Sequence, residues 1–407
     1  MVLTQTAAIF VDAYRELNAR KLFWISVILS GLLAGVFAGI RIDETGVAIF
    51  GIDLSFIPAT SETIRPDLLY KSLFLDLGVQ YWLGFVATIL ALISTAGIFP
   101  DLITFGAIET VLSKPVGRLR LFATKYLAGL LFVTLQVGAF TVAAFLIVGI
   151  RGGAWEPRLF VAIPLVVLFF SYLFCVCVLI GLITRSTVAS LLLTLLLWAA
   201  LFIINFTDGI LVTFNANFAI QEERTIARIE RMERATVVQM RREAAARGES
   251  LPENYEPTLE ELRAANGFLQ PVDAELEDVR SRQESLKPWL DGVFAAKTLL
   301  PKTAETIDAL KRLALSEDDL DRLANLNPES EAAQIRADQL RDDAAIEAAM
   351  RGEDTNENDN LFETGEAQRA GLAAMRSRSL IWVIGTSLLF ELVILSIAAW
   401  IFCRRDF

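Results

Sequence analysis

Two groups of residues in this 407-residue chain have types and spacing that could do chemistry. The first is a single acid. Glu391 is the twelfth of the 23 residues in the apolar run from Leu380 to Phe402. An ionised carboxylate at the centre of a membrane-crossing helix costs at least about 2.5 kcal/mol, so such a group turns towards protein or trapped water. It can act as a proton or cation site or line a translocation path. Equally, it can be a protonated or hydrogen-bonded acid that ties helices together, with Gln136 and Asn205 in other apolar runs as available partners. The second group is Glu109, Lys114, Pro115 and Arg118, within GAIETVLSKPVGRLRLFATKYLAGL from Gly106 to Leu130. Ala107 to Leu112 reads as a short helix, and Pro115 ends it because the residue before a proline is pushed out of the helical region. Lys114, Arg118, Arg120 and Lys125 then place positive charge directly before an apolar run. At such a join a membrane machine can receive force from the cytoplasm, although the charges alone also fit the ordinary marking of a cytoplasmic loop.

Other chemistry is narrowed by what the chain lacks. It contains no histidine, which removes His-ligated zinc and haem, the Ser-His-Asp triad and the HExxH metalloprotease together. Cys175, Cys177 and Cys403 all lie in or at apolar runs, and two cysteines two apart on a helix point in different directions, so neither a disulfide framework nor a metal pair is expected. No GxxxxGK[ST] phosphate loop occurs. The sequence therefore predicts no cofactor bound by this chain, no metal site and no nucleic-acid partner.

The elements that must position these residues are membrane spans. Hydrophobic residues make up 54% of the chain and come in blocks. Blocks of about 20 residues cross roughly 30 Å of hydrocarbon as a helix, which satisfies its own backbone groups. The expected spans are Leu22–Ile40, Val79–Ile98 with Pro100 breaking it, Tyr126–Ile150, Leu159–Thr184, Val188 to about Ile210, and Leu380–Phe402. Before them, residues 1–21 read as an interfacial helix, with Ala7, Phe10, Tyr14 and Leu17 on its apolar side, lying on membrane lipid. Gly31, Gly35 and Gly39 recur every fourth residue in the first span and mark either a helix-packing face or generic membrane glycine. Between the first two spans, GVAIFGIDLSF alternates as a strand does. Basic residues flank the start of the first span, the 99–125 loop, Arg185 and the Arg404–Arg405 end, which places all four sites and both termini in the cytoplasm.

Residues 211–378 differ in character. They hold 34 Asp plus Glu against 22 Lys plus Arg, so the acidity of the protein is the acidity of this insert. Ala219 to Arg247 is a charged helical run, and Thr258 with Glu261 forms a capping-box pattern before another helix; Ser316 with Asp319 repeats it, and Pro328 opens a further helix to about Met350. An extracytoplasmic α-helical hairpin or coiled-coil-like domain is expected, with a loosely ordered solvated insert as the alternative. Trp289 to Pro301, its most apolar piece, is too short to span and is expected to lie in the outer interface or to dip partly into the bilayer. The fold class is thus all-α, a polytopic protein of six spans, with residues 22–210 carrying five and 379–407 the sixth with its tail.

Three stretches resemble the type-2 permeases of ATP-binding cassette (ABC) transporters: DAYRELNARKLFWI at Asp12 to Ile25, the Gly106 to Leu130 stretch, and WIFCRRDF at Trp400 to Phe407. The branch they resemble is the one described as multi-copper-maturation or gliding-motility permeases. The resemblance implies a permease subunit without ATPase activity of its own, in a bacterial cytoplasmic membrane, paired with a second, identical or related permease subunit. It also implies a separate ATP-binding cassette subunit that carries ATP and magnesium and docks on the region of Glu109, Lys114, Pro115 and Arg118 as the coupling helix. The insert is larger than that family's usual outer element. That size admits two further readings: a mechanical transmitter acting on an extracytoplasmic protein through the insert, and a membrane scaffold with no motor.

Overall fold

The computed structural model describes residues 21–44, 46–53, 65–104, 117–248, 257–314 and 378–404, together with Val11, Arg15 and Ala374. Most of residues 1–21, the Glu109–Pro115 stretch and the helices expected from Ser316 to Met350 lie outside the described residues. Among the described residues the chain is almost wholly helical, and six helices are long and apolar enough to cross a membrane: Lys21–Gly39, Pro66–Ile103, Arg118–Arg151, Pro157–Thr184, Thr187–Ala246 and Leu380–Arg404. These are spans one to six. The all-α polytopic architecture expected from the hydrophobic blocks is the one observed.

Span four is mostly buried, whereas spans one and six bury a narrow stripe and leave other apolar side chains exposed. Span one buries Phe23, Ser26, Ser30, Ala34 and Phe37. Phe23 packs on Phe132 of span three with ring centres 4.9 Å apart, and Phe140 of span three meets both Phe37 and Phe74. The Trp82 indole of span two donates to Ser30 Oγ at 2.9 Å, so a polar atom inside the stripe has its partner. Between spans one and two, β1 (Ile40–Asp43), β2 (Gly46–Ile49) and β3 (Ile52–Asp53) form an antiparallel meander in the order β1-β2-β3; β2 and β3 fall where the alternating sequence predicts strand, and β1 is an addition. Phe50 between β2 and β3 takes a left-handed φ of 50°, and its ring covers Gly39 so closely that a Cβ there would overlap it.

Span two differs from its sequence reading. It begins at Pro66, thirteen residues before Val79, with Pro in the first helical turn where a missing N–H costs nothing. From Phe74 to Ala87 its turns are wider, of the π type. The chain then turns at Ala96–Gly97, and Pro100 lies in the first turn of a short helix, Ile98–Thr104. Pro100 therefore follows the break rather than making it.

The chain divides into two compact units. One holds the spans up to Ile203, the stretch from Lys297 and span six; the other begins at Ile204 and includes the stretch to Ala296 and Arg378. No helix end marks residue 211: the helix that starts span five runs from Thr187 to Ala246.

In the second unit that helix pairs with Leu269–Leu299. The contacts Asn215 to Gln283, Glu222 to Arg280, Arg228 to Glu275 and Thr236 to Asn266 descend in one helix as they rise in the other, which is the register of an antiparallel hairpin. The Thr258–Glu261 capping box is formed, both bonds present. Asp208 and Arg378 make a bidentate pair at 2.8 and 3.0 Å, with Asp208 almost fully enclosed.

In the first unit the segment after Pro301 behaves unlike a solvated insert. Thr303–Ala314 is a helix packed on spans two, four and six, with Thr306, Ala309, Leu310 and Ala314 fully enclosed. In Trp289 to Pro301, Trp289 and Leu299 are 69% and 77% exposed, as apolar side chains of an interfacial segment would be.

Candidate functional site: a polar cluster within the spans

Span six turns a narrow stripe inward, Val383, Ser387, Glu391, Ala398 and Phe402. Two of these five are polar, and both find partners on other helices. Tyr126 Oη of span three donates to Glu391 Oε1 at 2.8 Å, and Ser171 Oγ of span four lies 2.9 Å from Glu391 Oε2. Tyr126 is fixed by stacking on Phe174 at 5.1 Å with rings nearly parallel. Ser171 Oγ also lies 2.8 Å from the Leu168 carbonyl. A serine hydroxyl has one hydrogen to give. With a proton on Glu391 Oε2, that proton goes to Ser171 Oγ and the serine hydrogen to Leu168; without it, the serine hydrogen goes to the carboxylate. Rotation of the Ser171 hydroxyl can thus match the hydrogen-bonding needs of either protonation state of Glu391.

Glu391 therefore meets Tyr126 and Ser171, where the sequence suggested Gln136 or Asn205. Gln136 is buried on span three, and neither of its amide atoms has a hydrogen-bond partner among the described residues. Asn205 is half-buried on the Thr187–Ala246 helix.

One turn further along, the cluster continues. The Tyr172 hydroxyl of span four lies beside Thr306 and Ser387 without good hydrogen-bond geometry to either. The backbone N–H of Lys302 donates to Ser387 Oγ at 3.0 Å, and Lys302 Nζ donates to Thr386 Oγ1. Glu305 in the first turn of the same helix forms a buried ion pair with Lys297. Spans three, four and six and the Thr303–Ala314 helix are thereby joined through polar side chains.

At the opposite end of span six, Phe402 sits between Phe99 and Phe122. Arg118, at the start of span three, donates from Nη1 to the Cys403 carbonyl at 3.0 Å. The last carbonyls of a helix lack intrahelical donors, so an arginine there completes them and complements the negative end of the helix dipole. Glu109, Lys114 and Pro115 lie outside the described residues.

The predicted glycine face divides. A Cβ at Gly31 or Gly35 would meet nothing within 4 Å, whereas Gly39 is covered by Phe50. Close helix contact inside the chain is made at other glycines, among them Gly129, where an added Cβ would lie 2.7 Å from the Phe174 ring. Cys175 and Cys177 are buried free thiols in span four, and Cys403 is half-buried.

Tyr126, Ser171, Ser387 and Lys302 are the members of the cluster that sequence reasoning passed over. Their signal was weak: hydroxyls inside apolar runs are common, and a lysine between charged helices reads as solvated.

Six apolar helices with polar groups gathered among them define a multi-pass α-helical membrane protein. Comparison with known families carries this further: the family described as ABC-2 family transporter protein matches residues 15–285. The match covers more than half of the chain, and the chain belongs to that family. It includes Tyr126, Ser171 and Arg118, while Lys302 and Glu391 lie beyond it. No curated protein and no solved structure matches the chain.

Proposed function

We propose that this chain is the permease subunit of an ABC transporter that exports a substrate across a bacterial cytoplasmic membrane, with both termini inside. Membership of the ABC-2 family supports the permease class and partnership with an ATP-binding subunit. In this reading ATP and magnesium are bound by that subunit, which docks on Glu109, Lys114, Pro115 and Arg118. A second permease subunit, identical or related, completes the membrane part. Glu391 lies on the path or sets the packing of the helices that form it.

The observation that carries the coupling is the Arg118 bond to the Cys403 carbonyl. A residue that closes the docking segment holds the end of the helix that bears Glu391. Displacement of the segment is then passed to span six without an intermediary.

One observation favours a second reading, the mechanical transmitter. The helix that starts span five continues to Ala246, and the Thr303–Ala314 helix returns among the spans. Two helical connections could move the insert against an extracytoplasmic protein with nothing crossing. Reconstitution of the ATPase-bound complex with and without residues 211–296 separates the two readings. Export that survives the deletion supports the permease path; loss of the physiological output with unchanged ATP hydrolysis supports the transmitter.

A further inference from the structure

We infer that Lys302 is a positioning residue that fastens the Thr303–Ala314 helix to span six, so that the two elements change position together. The inference goes beyond the transport reading, because it concerns contacts within this chain and stands or falls without an ATPase.

Lys302 is 1% exposed. A buried ammonium is tolerated only where its hydration is replaced by partners. Span six supplies such partners from one stretch: Nζ donates to Thr386 Oγ1 and lies 4.2 Å from the centre of the Trp382 ring, and the backbone N–H reaches Ser387 Oγ. The hydrogens on span six are already committed. Thr386 Oγ1 donates to the Trp382 carbonyl and Ser387 Oγ to the Val383 carbonyl, both at 2.7 Å. Each hydroxyl oxygen is thus left as an acceptor, and each accepts from Lys302. The ring face supplies further attraction for the cation.

The needs of the short helix do not explain a lysine at this place. The Lys302 carbonyl accepts from the Thr306 N–H and from Thr306 Oγ1, so Lys302 occupies the N-cap position. That position favours Ser, Thr, Asp or Asn, and a cation there opposes the helix dipole. The lysine therefore serves the neighbouring span, whose Trp382, Thr386 and Ser387 present a ring face and two acceptors one turn apart.

The test is thiol accessibility in membrane vesicles. Ala309 is fully enclosed in the short helix, and Ala128 is equally enclosed in span three. Ala309→Cys is expected to react slowly with a membrane-impermeant maleimide, measured over the background of the native thiols. In combination with Lys302→Met it should react roughly tenfold faster, the effect of losing one to two buried polar contacts. Lys302→Arg, which keeps the cation, should return the rate most of the way. Ala128→Cys should stay protected in all backgrounds. Should Lys302→Met fail to accumulate, Thr386→Val with Ser387→Ala removes the acceptors instead and should give the same rise. The inference is overturned if Ala309→Cys remains as protected without the lysine or its acceptors as with them, or if Ala128→Cys is exposed by the same factor.

Discussion

Replacing Tyr126 with phenylalanine removes one hydroxyl from the donors around Glu391 and leaves the ring stacked on Phe174. Tyr126 Oη and Glu391 Oε1 are 2.8 Å apart, and both residues are more than nine-tenths buried. Loss of a donor to a buried acceptor costs about 1–3 kcal/mol, and measured pairs between membrane helices average about 0.6 with a maximum near 1.7 kcal/mol. Tyr126→Phe should therefore destabilise the protein by about 1 kcal/mol. In a Glu391→Leu background the acceptor is gone, and the remaining partner of Tyr126 is the Ser171 carbonyl at 3.3 Å. The same substitution should then cost less than about half as much, given the long distance. The assay is a double-mutant cycle on reversible unfolding in mixed micelles titrated with dodecyl sulfate, followed by far-UV circular dichroism. A Tyr126→Phe cost that is equal in the two backgrounds, within the roughly 0.3–0.5 kcal/mol of ordinary additivity, would refute the pairing and the cluster built on it.

Three further outcomes follow from the geometry. Gly129→Ala places a Cβ 2.7 Å from the Phe174 ring and should cost about 1–3 kcal/mol by overpacking; Gly35→Ala, which meets nothing within 4 Å, should be neutral or slightly stabilising in the same unfolding assay. Asp208→Asn leaves Arg378 without its bidentate carboxylate; with roughly 3–5 kcal/mol at stake for a buried pair broken on one side, the second unit should become the first site of cleavage in limited proteolysis, and Asp208→Asn with wild-type protection would count against the pair. Arg118→Gln removes the charged donor to the Cys403 carbonyl and should speed amide exchange in the last turn of span six while leaving its centre unchanged, a difference read by hydrogen-exchange mass spectrometry.

The sequence made the spans legible because length and apolar composition are local properties, and it made Glu391 legible because a charge inside such a run needs an explanation. In the meander at residues 40–53, the strands from Gly46 onward were legible from alternation, whereas β1 at Ile40–Asp43 was not. What could not be read is which residues meet. Arg118 and Cys403 are 285 positions apart, Tyr126 and Glu391 265, and Asp208 and Arg378 170. No helical period encodes a partner on another helix. Lys302 shows the same limit more sharply, because a lysine in a short amphipathic segment has the local pattern of a solvated residue, and acceptors on span six help to make its burial tolerable. The early start of span two was hidden for a different reason: Asp67, Lys71 and Asp76 give its first turns a polar composition, although Lys71 is buried against Glu156 at 3.2 Å.

The central claim is that this chain is driven by a separate ATP-binding subunit. Its most direct test is purification of the tagged protein from native membranes in mild detergent, with identification of the co-purifying chains and an assay of ATP hydrolysis. The account predicts a stoichiometric ATP-binding cassette subunit, and hydrolysis that falls when Glu109→Arg is introduced while membrane insertion is unchanged. A stable complex that contains no ATPase would contradict it.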